Sequence, residues 1–147
     1  MFKLFRGRTV NLGDRYKVYR NLNNDMFSLL AVDGEFKGKV VAHAESVILH
    51  DVQFMVSEPS RIRACREGIR NVHAFAIGTV SAFKRDTGND LAGLSPITYN
   101  PFLHSTFIFL ANNKPVTSAA KVMLQHGKAY ARPIDYRQLP DLPPMRT

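Results

Sequence analysis

Histidine is the residue type best suited to acid–base chemistry near neutral pH, and this chain of 147 residues has five: His43, His50, His73, His104 and His126. No two of them are four residues apart, the spacing at which a helix presents two histidines to zinc. The single cysteine, Cys65, cannot form a thiolate box. We therefore expect no metal, no cofactor and no catalytic residue.

His73 lies near the start of the most strand-like run of the chain, "RNVHAFAIGTVSAF" from Arg70 to Phe83. Alternation along a strand separates this run into two faces. One carries small residues: Val72, Ala74, Ala76, Gly78, Val80 and Ala82. The other is bulkier and holds His73 beside Phe75. This pattern predicts a central strand from 71 to 83 that something packs against closely, with His73 as a packed, hydrogen-bonded imidazole rather than a catalyst.

Basic residues are the stronger functional lead. Lys and Arg number 20 against 12 Asp and Glu, a net charge of +8 that favours polyanionic partners. Ten of them fall in the first twenty residues or between 61 and 70, and we expect these to contact phosphate: Lys3, Arg6, Arg8, Arg15, Lys17, Arg20, Arg61, Arg63, Arg66 and Arg70.

Aromatic residues alternate with the first of these basic groups: Phe2, Phe5, Tyr16 and Tyr19. Single-stranded nucleic acid needs both positive charge along its phosphates and ring faces on which its bases stack. The alternative is that these rings belong to the core and the basic residues form a solvated rim. The sequence leaves both interpretations open.

The fold class that the patterns predict is α+β and rich in strands, as a single domain over 1–132 followed by a proline-rich tail over 133–147. We expect two hairpin-containing units around the central strand, and one short basic helix in "SEPSRIRACREGIR" with Ile62, Cys65 and Ile69 on a buried stripe. Residues 117–126 fit either a helix or a strand.

Two segments, 19–49 and 99–124, share a pattern that suggests an internal duplication. Five identities recur at an offset of 75, among them Val47 with Val122 and Leu49 with Leu124, and Ile48 corresponds to Met123. A duplication predicts a pseudo-twofold architecture.

Nothing in the chain has the pattern of a membrane span or a secretory signal, and the lone cysteine excludes an internal disulfide. These features predict a protein of the reducing cytoplasm with no membrane partner.

The stretches "RNVHAFAIGTV" and "TYNPF" resemble small uncharacterised proteins carried by bacteriophages and plasmids. The resemblance implies a bacterial host, and a compact protein of a mobile element that binds and modulates a host machine of defence, transcription or translation. It implies no catalytic residues.

Three functions follow from these observations. The first is a non-enzymatic protein that binds RNA or single-stranded DNA through phosphate contacts. The second is a modulator or inhibitor that uses its basic surface and its tail to bind an acidic host protein. The third is a metal-independent ribonuclease that uses histidine and arginine.

Overall fold

The computed structural model describes residues 2–21, 26–83 and 93–132. These contain ten strands and one helix: β1 (Phe2–Leu4), β2 (Arg15–Arg20), β3 (Phe27–Ala31), β4 (Val40–Ala44), β5 (Ser46–Val56), α1 (Glu58–Glu67), β6 (Ala74–Ala82), β7 (Ser95–Thr98), β8 (Ile108–Phe109), β9 (Ser118–Gln125) and β10 (Lys128–Arg132). All ten strands belong to one antiparallel sheet in the order β1-β4-β3-β2-β6-β5-β9-β10-β7-β8.

The prediction of an α+β fold is wrong, because the protein is mostly β. The ten-residue helix α1 has no buried residue and therefore forms no second layer of the core. Ile62 and Ile69, expected on a buried stripe, are each 38% exposed, and the helix ends before Ile69. Among the described residues, no helix is long and apolar enough to cross a membrane.

The core lies on one face of the sheet, which we call the inner face. Directly opposed residues of antiparallel strands point to the same side, and the inner face includes Val18, Leu49, Ala76 and Val122, all buried. Loop residues, among them Phe36 and Phe107, pack against this core.

The sheet bends around its inner face. Phe27 of β3 and Ile97 of β7 line the same cavity, although the two strands are six positions apart in the order. In a flat sheet they would be separated by roughly 29 Å at the usual strand spacing of about 4.8 Å. The sheet is therefore curved, with an enclosed inner face and a convex outer face.

The expected central strand is present as β6, between β2 and β5. Its glycine marks the closest contact with its neighbour. A Cβ on Gly78 would lie 2.9 Å from Val52 Cγ2 and 3.1 Å from the carbonyl oxygen of His50. The small-residue face of β6 thus lets the bulged part of β5 approach closely.

Residues 117–126, open to both interpretations in the sequence, form strand β9 rather than a helix. β9 pairs with β5 on one side and β10 on the other. Gly127 is a turn residue: with His126 it connects Gln125 to its partner Lys128, and both turn residues have positive φ, the geometry of a two-residue hairpin turn.

The two segments of the suggested duplication meet where β5 pairs with β9. Ile48 lies opposite Met123, Val47 opposite Leu124, and Leu49 opposite Val122, so corresponding residues are related by a local twofold axis. The duplication itself stays a prediction. The tail over 133–147 lies outside the described residues.

Candidate nucleic-acid interface

The outer face of the sheet carries a line of four basic side chains and one threonine, which we call the basic row: Arg15, Thr79, His50, Lys121 and Arg132. Each of these residues is directly opposite the next in the strand register, across β2, β6, β5, β9 and β10. The row contains no carboxylate. Four strand spacings give it a length of roughly 19 Å.

Lys121 and Arg132 form the most unusual pair in this row. They occupy directly opposed positions on β9 and β10, where two like charges destabilise a sheet. Neither forms an ion pair within the described part of the chain, and His50 lies on the other side of Lys121. An anion bound between these side chains would relieve their repulsion.

Arg15 lies at the other end of the row, where hydrogen bonds to backbone carbonyl groups hold its guanidinium in place. Its guanidinium donates to the carbonyl oxygen of Asp51 at 3.0 Å and to that of Ile77 at 3.4 Å. Asp51 belongs to the bulge of β5 and has φ of 52°. These bonds fix the position of Arg15 without neutralising its charge.

The next outer-face position on β2 is Lys17, whose ammonium lies 3.7 Å from the ring centroid of Phe75. The ring positions this charge by a cation–π contact, so Lys17 occupies a face of Phe75 on which a base could stack. Tyr130, opposite Met123 on β10, offers a half-buried ring on the same outer face. Charge therefore dominates this surface over stacking.

The other N-terminal basic residues are dispersed. Arg6 and Arg8 lie over the Phe5 ring at 5.1 and 5.6 Å, and Arg8 also donates to the carbonyl oxygen of Val40 at 2.7 Å. Lys3 is exposed and opposite His43. Burial, followed by the charge of Lys3, lowers the pKa of His43.

The N-terminal aromatic residues divide between core and surface. Tyr16 is buried in the core, where its hydroxyl oxygen accepts a bond from the backbone N–H of Asn11. Phe2 packs on Phe83 with centroids 4.3 Å apart. The core alternative therefore holds for Tyr16, whereas Phe2 is 41% exposed and lies at the surface.

The helical arginines are partly committed to structural contacts. Arg61 pairs with Glu58 and donates to the carbonyl oxygen of Pro101 at 2.8 Å, so it holds α1 against the loop after β7. Arg63 pairs with Glu67 at 3.8 Å. Arg66 and Arg70 are exposed. Arg61 and Arg63 therefore each have a carboxylate partner on α1.

Arg20 faces away from the other basic residues of β2. It lies opposite Phe27 in register and lines a cavity on the inner face, with its guanidinium carbon 3.4 Å from where a Cβ on Gly127 would be. It therefore lies apart from the basic row.

His73 is a packed imidazole, as expected. Its Nδ1 is 2.8 Å from Asn71 Oδ1, and Asn71 Nδ2 donates to the carbonyl oxygen of Ser60. The amide thus turns its oxygen towards His73, so Nδ1 donates and Nε2 is left as an acceptor. Nε2 is buried with no partner among the described residues, and the ring lies edge-on to Tyr99 at 5.6 Å.

Sequence reasoning missed His50, Lys121, Arg132 and Tyr130 as surface residues of one site. They come from three strands that are far apart in the chain, and only the register of β5, β9 and β10 brings them together. The alternation of β9 signals an outward Lys121, but no local pattern predicts its neighbours.

Comparison with known proteins gives two related matches. The family model of the Mycobacterium phage L5 gene 82 protein matches residues 9–132 of this chain. The gene 82 protein of Mycobacterium phage L5 is 30% identical over 116 residues, which cover 75% of this chain and 89% of that protein. No solved structure matches. The resemblance to bacteriophage proteins is thereby confirmed.

Proposed function

The chain belongs to the family of the Mycobacterium phage L5 gene 82 protein, and we propose that it binds single-stranded nucleic acid, without catalysis, through the outer face of its sheet. The site is the basic row, and binding takes place in the cytoplasm of the bacterial host. The single observation that carries the proposal is the pair of opposed cations Lys121 and Arg132.

The argument from this pair is electrostatic. A sheet gains nothing from two cations side by side, and their repulsion costs stability of about 0.2–1 kcal/mol. A phosphate between them removes that repulsion and releases condensed counterions from the nucleic acid. The net charge of +8 adds long-range attraction to the same polyanion.

The shape of the surface favours a single strand over a duplex. The outer face is convex, and the basic row crosses five strands. A flexible single strand can follow such a curve, whereas a duplex is stiff over the whole length of this protein. Since few rings are open for stacking, we expect weak dependence on base sequence.

Charge reversal in the row tests the proposal. Lys121→Glu with Arg132→Glu should weaken binding of a labelled single-stranded oligonucleotide by at least about tenfold, because two phosphate contacts become repulsions. Fluorescence anisotropy measures the affinity. The matched control is Lys37→Glu with Lys114→Glu, two exposed lysines in turns outside the row.

The control pair changes the net charge by the same amount and should have a much smaller effect. Equal losses in the two double variants would mean that only overall charge matters, which contradicts a site at the basic row. Arg63→Glu with Arg66→Glu is the third arm. A loss there that exceeds the loss at Lys121 and Arg132 would transfer the site to α1 and overturn the proposal.

A further inference from the structure

His50 is the middle residue of the basic row, with Thr79 opposite it on β6 and Lys121 opposite it on β9. Arg15 and Arg132 lie one strand further out on the two sides. Arginine and lysine keep their charge at physiological pH, whereas histidine ordinarily titrates near pH 6.5. His50 is therefore the one position of the row at which the charge depends on pH.

The backbone around His50 is held in place. The register of β5 against β6 shifts between His50 and Gln53, and within this bulge Asp51 has φ of 52°. The Arg15 guanidinium donates to the carbonyl oxygen of Asp51 at 3.0 Å. The carbonyl oxygen of His50 lies 3.1 Å from the position of a Cβ on Gly78. These contacts keep His50 in the row in both protonation states, because none of them involves its imidazole.

The charged side chains that face His50 from the other strands of the row are all cations: Lys121 on β9, Arg132 beyond it on β10, and Arg15 beyond Thr79 on β2. On its own strand the adjacent carboxylate is Asp51, which is exposed and forms no ion pair with any described residue. A proton on His50 therefore places two cations directly opposite each other, which is unfavourable in the free protein. A phosphate bound between His50 and Lys121 removes that repulsion.

We propose that His50 takes up a proton when a phosphate of the nucleic acid binds to the basic row, so that binding tightens as the pH falls. This inference rests on the function proposed above. Below the ordinary titration range of histidine, the imidazolium donates a charge-assisted hydrogen bond to the phosphate and the row has four cations. Above that range the imidazole is neutral and three cations remain. Linkage requires the reciprocal effect, in which bound nucleic acid makes His50 easier to protonate.

The first test measures the affinity for a labelled oligothymidylate, whose base stays neutral in this range, at about pH 5.5 and about pH 8 and at several salt concentrations. Wild-type affinity should rise by about 3- to 10-fold at the lower pH. The slope against salt should steepen by about 0.7, the contribution of one phosphate contact. His50→Gln should bind like the wild type at the higher pH, which also shows that it is folded, and should lose most of the rise. The control His126→Asn, at an exposed turn outside the row, should keep the rise.

The second test follows the histidine ring signals of the labelled full-length protein by NMR. The pH midpoint of the His50 titration should move upward when the protein is saturated with oligothymidylate, whereas the midpoint of His126 should stay in place. An unmoved His50 midpoint, or an equal pH dependence of binding in wild type and His50→Gln, would overturn the inference and leave the proposed function intact. Failure of the wild type to bind the oligonucleotide at either pH would contradict the proposed function, and this inference with it.

Discussion

At the scale of single residues, His73 shows how a buried imidazole is held in place. Its Nδ1–H bond to Asn71, the bond from Asn71 to Ser60 and the edge contact with Tyr99 fix the ring from two sides. These contacts join the start of β6 to α1 and to the segment after β7. They give His73 a structural role.

His73→Gln should therefore destabilise the protein by about 1–3 kcal/mol, because glutamine loses the ring contact and leaves the packing imperfect. Thermal unfolding measures this, with His126→Asn as the control at an exposed turn position that tolerates positive φ. A ribonuclease assay on the same samples completes the test. A stable His73→Gln protein that has lost a ribonuclease activity of the wild type would contradict the packing role and support the third function.

At the scale of elements, the close contact between β5 and β6 depends on Gly78. Gly78→Ala should cost about 1–3 kcal/mol, because its Cβ would overlap Val52 Cγ2 and press on the His50 carbonyl. Chemical denaturation measures the free energy of unfolding. The penalty should shrink in a Val52→Ala background, where the nearer atom is absent. An equal penalty in both backgrounds would show that Val52 is not the source of the strain.

Several elements could be predicted from the sequence because their signals are local. The run around "AFAIGTV" alternates clearly and became β6, and Pro59 and Gly68 bound α1 as expected. β9 was ambiguous because its alanines fit a helix equally well, with Thr117 as a possible N-cap and Gly127 as a possible helix end. Pairing with β5 and β10 decided it, and such pairing is a tertiary effect that outweighs local propensity.

The prediction of the fold class was wrong for a related reason. A helix contributes a layer only if it buries a face, and the spacing of Ile62, Cys65 and Ile69 gave the impression of such a face. In the structure, the sheet curves around its inner face, and loop residues such as Phe36 and Phe107 pack against the core. The cavity and the basic row arise from that curvature and from strand register, so neither could be located from the sequence, although the net charge pointed to a polyanion.

At the scale of the whole molecule, the curved sheet separates two surfaces of different chemistry. The convex outer face bears the basic row, and the inner face holds the apolar core and the aromatic cavity. The two sets of side chains point to opposite sides of the same strands.

The most direct test of the proposed function is the salt dependence of binding to a single-stranded oligonucleotide. Each phosphate contact contributes about −0.7 to the slope of the logarithm of the association constant against that of the salt concentration. Contacts from Arg15, Lys121 and Arg132 predict a wild-type slope of roughly −2 or steeper. Lys121→Gln with Arg132→Gln should flatten this slope by about 1.4, whereas Lys37→Gln with Lys114→Gln should preserve it. A slope near zero, or one that the Lys121 and Arg132 substitutions leave unchanged, would contradict binding at the basic row.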